Sequence, residues 1–234
     1  MQKKISEIQE LIEGQSPESI LRLIVAAYRG KVVFSSSLGY EDQILTHLIF
    51  ANDLPIEIFT LDTGRLFNET YLVLNATLQR YKKPIKVYYP KTEAVEKLVS
   101  EKGPLSFYES VENRKECCFI RKVEPLKRAL NGHAIWITGI RTEQSNNRND
   151  LKQVEWDETN QIIKIHPLLN WTNEEVKSFI KANNIPYNSL HDKGFESIGC
   201  APCTRAIKAG EDSRAGRWWW EDNSKKECGL HYTS

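Results

Sequence analysis

Four short apolar runs, separated by stretches of helical periodicity, restrict what this chain can fold into more than any other feature. The runs are residues 31–35, 56–61, 85–89 and 134–138, rich in Val, Ile, Phe and Tyr. Between them, residues 41–50, 67–81, 92–101 and 119–130 repeat apolar positions at helical spacing. Strands alternating with helices need crossover connections, which join strands running the same way. The expectation is an α/β fold with a doubly wound, mainly parallel sheet.

Two short helices precede this pattern. Ile5, Ile8, Leu11 and Ile12 share one helical face, and Ser16-Pro17-Glu18-Ser19 supplies a capping hydroxyl and a first-turn proline for a second helix. After Gly139 the character changes. Residues 141–150 read as a polar loop, and residues 153–156 and 162–166 bracket Asp157-Glu158-Thr159-Asn160 as a hairpin. Residues 171–182 read as a helix capped by Thr172, and beyond Tyr187 little periodicity is left. No repeat or Pro/Gly/Ser-rich linker marks a boundary, so the 234 residues are expected to form one domain.

Charge excludes some partners. Lys and Arg total 32 against 31 acidic residues, so bulk charge steers nothing toward nucleic acid, and anion binding must come from a local cluster. No apolar run approaches the ~20 residues that span a bilayer. The first residues lack the apolar centre of a signal peptide, so a cytoplasmic protein is expected. Thiols in a reducing compartment are more often metal-binding or catalytic than disulfide-bonded.

The turn Ser35-Ser36-Ser37-Leu38-Gly39-Tyr40-Glu41-Asp42 leaves the first strand at the edge where open α/β sheets bind ligands. Small residues and a helix N-terminus there let backbone N–H groups face an anion. A plain Ser-rich turn capped by Ser37 or Asp42 reads the same way. The segment matches neither the P-loop nor the dinucleotide fingerprint. Leu61-Asp62-Thr63-Gly64-Arg65 repeats the arrangement after the second strand, and two such turns on one edge favour a nucleotide site.

Five cysteines follow: the adjacent Cys117 and Cys118, Cys200 and Cys203 in a C-x-x-C, and Cys228. Two pairs of thiolates can close a metal site or hold an iron–sulfur cluster. C-x-x-C alone also fits a redox dithiol or a zinc knuckle, although adjacent cysteines disfavour zinc and make a disulfide between neighbours awkward. Cys228 stands in Lys225-Lys226-Glu227-Cys228-Gly229-Leu230-His231, where nearby basic groups favour a thiolate nucleophile; a surface cysteine in a frayed end is the alternative. Arg121, Lys122, Arg141, Arg148, Arg205, Arg214 and Arg217 recur beside these turns and cysteines. Singly each reads as a solvated charge; together they suggest an anion pocket. Trp218-Trp219-Trp220 reads as packing of the chain end onto the domain.

Taken together, these residues make the chain resemble the adenylyl-sulfate (APS) reductases of the wider APS/PAPS reductase family. The segments carrying the resemblance are the two Ser/Gly turns, Cys117-Cys118-Phe119-Ile120-Arg121-Lys122-Val123 and Thr138-Gly139-Ile140-Arg141. The most specific are Ile198-Gly199-Cys200-Ala201-Pro202-Cys203-Thr204-Arg205, Arg214-Ala215-Gly216-Arg217-Trp218-Trp219-Trp220-Glu221 and Glu227-Cys228-Gly229-Leu230-His231.

The resemblance implies an adenine-nucleotide α-hydrolase-like sheet with a C-terminal cysteine-bearing tail. It implies one [4Fe–4S] cluster on Cys117, Cys118, Cys200 and Cys203, with Cys228 as the nucleophile. Ser35, Ser37, Gly39, Asp62, Thr63, Gly64, Gly139 and Arg141 would line the nucleotide site, and Lys122, Arg148, Arg214 and Arg217 would surround the phosphosulfate. The single domain then divides into N-terminal helices (1–30), a nucleotide and cluster-binding core (31–217) and a mobile catalytic tail (218–234). Adenylyl sulfate is the implied substrate, in assimilatory sulfate reduction and cysteine biosynthesis. The chain stops at Ser234 without a thioredoxin-like extension, so the implied reductant is a separate thioredoxin or similar dithiol protein. Relatives often form dimers or tetramers, which puts a homo-oligomer among the expectations. Rivals are a PAPS reductase or dual-specificity enzyme, an ATP-pyrophosphatase-type ligase, and a non-enzymatic iron–sulfur redox sensor. The ligase would want a Ser-Gly-Gly-x-Asp-Ser-type turn, which Ser37-Leu38-Gly39-Tyr40-Glu41-Asp42 is not.

Overall fold

The computed structural model describes residues 2–144 and 151–221. Arg148 and Cys228, with the rest of residues 222–234, lie outside the described residues. Helix α1 (Gln2–Ile12) buries Ile8 and Ile12, and α2 (Pro17–Ala27) starts at Ser16, whose Oγ accepts the Ser19 N–H at 3.2 Å. Then follow β1 (Val32–Ser35), α3 (Tyr40–Ala51), β2 (Glu57–Leu61), α4 (Asn68–Tyr81), β3 (Lys86–Tyr88) and α5 (Thr92–Lys102). Helix α6 (Val111–Cys118) runs through a π-helical turn (Phe119–Val123) into α7 (Glu124–Leu130). Strands β4 (Ile135–Ile137), β5 (Val154–Asp157) and β6 (Ile162–Ile165) and helix α8 (Asn173–Ala182) complete the regular elements used below.

Among the described residues six strands form one sheet in the order β3-β2-β1-β4-β6-β5. β1 pairs parallel with β2 and β4, and β4 pairs parallel with β6. β5 pairs antiparallel with β6, forming the hairpin expected from the sequence. This is the doubly wound, mainly parallel α/β sheet that the alternating runs require. Its strand order reverses between β1 and β4. At such a switch point the two connections leave in opposite directions and open a crevice at the carboxyl ends of the strands.

Contacts divide the chain into two compact units, residues 1–60, 69–86 and 132–188, and residues 61–68, 87–131 and 189–234. In the first, Val32 and Phe34 of β1, Ile135 and Ile137 of β4, and Ile163 and Ile165 of β6 pack with Ile44, Leu45 and Ile49 of α3 and with the buried faces of α1 and α2. Each such side chain contributes roughly 1.5–3 kcal/mol of burial. Helix α8 closes on a capping box, with the Thr172 hydroxyl and the Glu175 carboxylate each satisfying the other's backbone N–H. The second unit has a different kind of centre. There a buried cluster consists of Leu98, Phe107, Cys117, Cys200, Cys203 and Trp218, so half of its members are thiols.

Candidate functional site

In the first unit the carboxyl ends of β1 and β4 carry the turns expected to meet a nucleotide. Ser35 closes β1, and its Oγ accepts the Trp136 indole N–H at 2.8 Å. Leu38 is buried with φ of +64°, a left-handed conformation that a branched side chain adopts only when its surroundings impose it. That bend leaves Ser37 exposed and Gly39 as the residue before α3. The Ser37 N–H and hydroxyl both donate to Asp42 Oδ2 at 2.6 Å. Burial pushes the Asp42 carboxyl up to about 6, with the Ser37 donors and the Gly139 N–H pulling the other way and Glu41 adding to the rise.

Gly139 follows β4 with no room for a side chain. A Cβ there would overlap Asp42 Oδ1 and stand 3.0 Å from Glu41 Cβ. Asp42 therefore holds the β1 turn through Ser37 and the β4 turn through Gly139. Arg141 does something other than face a ligand. It is buried, and its guanidinium donates to Glu41 Oε1 at 2.8 Å, to the Trp171 carbonyl at 2.8 Å and to Asn173 Oδ1 at 2.5 Å. These bonds make it a strut of the turn.

In the second unit the turn after β2 points its chemistry at sulfur. The Asp62 carboxylate accepts the Gly64 N–H at 2.8 Å, and Gly64 takes φ of +69°. Thr63 is buried with its Oγ1 3.2 Å from Cys200 Sγ, and its carbonyl accepts Arg121 Nη1 at 2.6 Å. The Ala201 N–H donates to the Arg65 carbonyl at 2.8 Å, tying the second cysteine pair to this turn.

The first pair sits where a continuous helix changes pitch. α6 starts at Ser110, whose hydroxyl accepts the Asn113 N–H at 3.1 Å. After Cys118 the ladder widens, so that the Glu124 N–H reaches the Phe119 carbonyl five residues back. Pro125 supplies the local reason: it has no N–H to give, and its ring would clash with a carbonyl at α-helical spacing. The second pair lies in a short 3₁₀ turn (Ala201–Cys203), with the Cys203 N–H on the Cys200 carbonyl at 2.9 Å and the Tyr108 hydroxyl on the Pro202 carbonyl at 2.6 Å.

These two pieces of chain bring all four thiols together. Among the described residues Cys117, Cys118, Cys200 and Cys203 form no disulfide, and they line one recess with Arg65, Arg114, Arg121, Lys122 and Phe107. Among the described residues no three His, Cys, Asp or Glu side chains gather tightly enough for a single metal ion. Burial pushes Cys203 up to about 12, with Cys200 adding to the rise, and burial also raises Cys117. Cys200 goes the other way: burial would raise it, but Lys122, the Thr63 hydroxyl, Arg217 and Arg121 together bring it below the ordinary thiol value.

The segment carrying Arg214 and Arg217 lies along the second cysteine pair. The Trp218 N–H donates to the Cys203 carbonyl at 3.2 Å, and the Arg205 N–H to the Gly216 carbonyl at 3.0 Å. Gly199 leaves the space that the Arg217 guanidinium fills. Arg121 and Arg217 are both buried, and among the described residues Nε of each lacks a hydrogen-bond partner. Arg214 is half-buried, with its N–H on Asp212 Oδ1 at 2.8 Å. The sequence names Asp42 as a cap of the β1 turn but does not reveal its place against Gly139, nor the parts of Arg65 and Arg114 in the thiol recess. For Arg114 a signal existed, since it precedes Cys117 and Cys118 by three and four residues, the spacing of one helix face.

Residues 31–206 match the family model described as the phosphoadenosine phosphosulfate reductase domain. The chain belongs to this family. Within it, the chain is 52% identical over 204 residues to an adenosine 5'-phosphosulfate reductase of Burkholderia cepacia, covering 87% of this chain and 82% of that one. An adenosine 5'-phosphosulfate reductase of Sinorhizobium fredii is 47% identical over 231 residues, covering 99% and 92%. Among solved structures, the phosphoadenylyl-sulfate (PAPS) reductase of Candida auris, in a phosphate complex, superposes with a TM-score of 0.75 at 29% identity, covering 88% of this chain and 98% of that one. The family's adenine-nucleotide α-hydrolase-like sheet is the one described above. No described helix of this family member is long and apolar enough to cross a membrane.

Proposed function

We propose that the chain reduces adenylyl sulfate to sulfite and AMP, taking two electrons from thioredoxin or a similar dithiol protein, as a cytoplasmic step of sulfate assimilation. The observation that supports this best is the recess in which four thiols meet Arg65, Arg114, Arg121 and Lys122, in a chain whose relatives are named adenosine 5'-phosphosulfate reductases.

In this reading Cys117, Cys118, Cys200 and Cys203 hold one [4Fe–4S] cluster. Their chemistry fits: the donors are all soft sulfurs, they line one recess, and the surrounding cations offset thiolate charge. When bound, the cluster supplies a fixed charge distribution beside Lys122. Ser35, Ser37, Gly39, Asp62, Thr63, Gly64 and Gly139 are proposed to form or hold the substrate's turns, with Arg141 supporting them. Lys122, Arg148, Arg214 and Arg217 are proposed for the phosphosulfate.

The Cys228 thiolate attacks the sulfur of adenylyl sulfate. An S–S bond forms, the sulfur–oxygen bond to phosphate breaks, and AMP leaves with the electron pair, stabilised by the cationic groups. A thiolate of the dithiol protein then attacks Cys228 Sγ, and sulfite leaves with the pair of the S–S bond. The second thiol of that protein resolves the mixed disulfide and returns Cys228 as a thiol. Side-by-side assay of thioredoxin-dependent sulfite release from adenylyl sulfate and its 3'-phosphorylated form tests the reading. Preference for the unphosphorylated nucleotide is expected. Preference for the phosphorylated form would make it a PAPS reductase, and release from neither would overturn the enzymatic reading.

A further inference from the structure

Trp218 is the one described residue of the second unit, glycines aside, with a positive φ. It is buried with φ of +44°, a conformation that a bulky side chain takes only when its surroundings over-determine it. Two guanidiniums pack on its ring: the Arg114 and Arg217 Cζ atoms each stand 4.7 Å from the ring centroid. The turn it opens closes at once, with the Glu221 N–H on the Trp218 carbonyl at 2.9 Å. The Glu221 carboxylate is then gripped at both oxygens by Arg114, Nε to Oε1 at 2.6 Å and Nη2 to Oε2 at 3.0 Å. The Arg114 side chain is buried and that of Glu221 nearly so, at 4% and 10% exposure, so this fork is largely shielded from the solvent that weakens surface ion pairs.

Arg114 serves three groups at once. It grips Glu221, stacks on Trp218, and lies within hydrogen-bonding reach of the Cys118 sulfur in the wall of the thiol recess. Cys228 is the seventh residue after Glu221. Seven residues of chain span at most about 25 Å. Wherever Glu221 is fixed, the reach of Cys228 is fixed with it.

We infer that Arg114 is a positioning residue: by holding Glu221 against the wall of the thiol recess, it sets the point from which Cys228 reaches the substrate. This rests on the reading of Cys228 as the nucleophile. A held anchor shrinks the volume that the thiolate samples and raises its effective concentration at the reacting sulfur. Releasing the anchor lowers the rate of attack without weakening the groups that bind the nucleotide.

The test uses the full chain purified without oxygen, as Glu221→Gln and as the double variant Arg114→Met/Glu221→Leu. The double variant replaces a buried ion pair by apolar groups of similar size and so preserves folding. Three quantities are read: single-turnover formation of the Cys228 S-sulfonate by intact mass at saturating adenylyl sulfate, the affinity for AMP, and iron content. A fall in single-turnover rate per cluster of about tenfold or more, with AMP affinity unchanged, is expected in both variants, and Glu221→Gln, which keeps the Arg114 cation in the recess, should keep its iron as well. Wild-type rates in both would overturn the role of Arg114, as would a loss that tracks iron or AMP affinity. If the unmodified protein forms no S-sulfonate, or Cys228→Ser forms it as fast, the reading of Cys228 fails instead, and the two failures are told apart.

Discussion

Asp42 occupies the space that a side chain on Gly139 would need. The same carboxylate takes the N–H and hydroxyl of Ser37, so one buried group joins the ends of β1 and β4 at the switch point of the sheet. Gly139→Ala would push the new methyl into Asp42 Oδ1 and toward Glu41 Cβ, and one of the two turns must move. Overpacking of this kind costs about 1–3 kcal/mol. The expected outcome is a melting temperature lowered by several degrees and an AMP affinity reduced about tenfold or more, measured by calorimetry. An affinity equal to that of the unmodified protein would show that the β4 turn takes no part in nucleotide binding.

The acidity of Asp42 makes a separate statement about stability. Burial lifts it from 3.8 to about 6 in the folded chain. Its stabilising contribution is therefore complete below the unfolded value and is lost as pH rises through about 6. Between pH 5 and 7.5 that loss comes to about 1.4 kcal/mol. Urea unfolding of the unmodified protein and of Asp42→Asn at both pH values isolates the group, because Asn does not titrate. The unmodified protein should lose that much more than the variant over this interval. Parallel pH dependences would show that Asp42 does not titrate there.

The two Ser/Gly turns were legible from their place directly after apolar strand runs, and the cysteine pairs because thiols rarely cluster in a sequence. Strand runs such as Val32-Val33-Phe34 were legible because a strand buried on both faces is apolar at every position. Helix α6 was not. Val-Glu-Asn-Arg-Lys-Glu shows no apolar face, and its start is marked only by the hydroxyl of Ser110. Arg141 shows a different limit. An arginine beside a glycine reads alike whether its fork meets a ligand or, as here, Glu41, Asn173 and a backbone carbonyl. Only the folded chain tells these apart.

Lys122 lines the thiol recess and helps bring the Cys200 thiol below its ordinary value, yet it is not itself a sulfur donor. If it binds the phosphosulfate, Lys122→Ala removes a charge-assisted hydrogen bond of about 1.5–3 kcal/mol. The dissociation constant for adenylyl sulfate, measured on the Cys228→Ser protein to prevent turnover, should rise roughly tenfold to a hundredfold. Iron and sulfide content should not change. Loss of iron in the variant would instead assign Lys122 to holding the thiol pairs.

Lys164 offers a test of the first unit that is independent of any ligand. It is 2% exposed, with Nζ 2.7 Å from Asp157 Oδ2, 3.7 Å from Glu155 Oε1 and 5.0 Å from the Trp136 ring centroid. Burial would raise both carboxylates. For Asp157, Lys164 and Asn160 reverse that, and for Glu155, His166 and Lys164 do, so both titrate below their ordinary values. Depressed carboxylates stabilise the fold above their unfolded pKa, and that contribution is lost as pH falls. Lys164→Met removes the shared cation and leaves two buried carboxylates facing an apolar chain. Breaking a buried pair this way costs about 3–5 kcal/mol at neutral pH. The deficit should shrink as the solution is acidified toward pH 4, because both carboxylates can then take up protons. Urea midpoints of the two proteins at pH 7 and pH 4 measure it. A deficit that stays constant between them would assign the loss to packing against Trp136 rather than to charge.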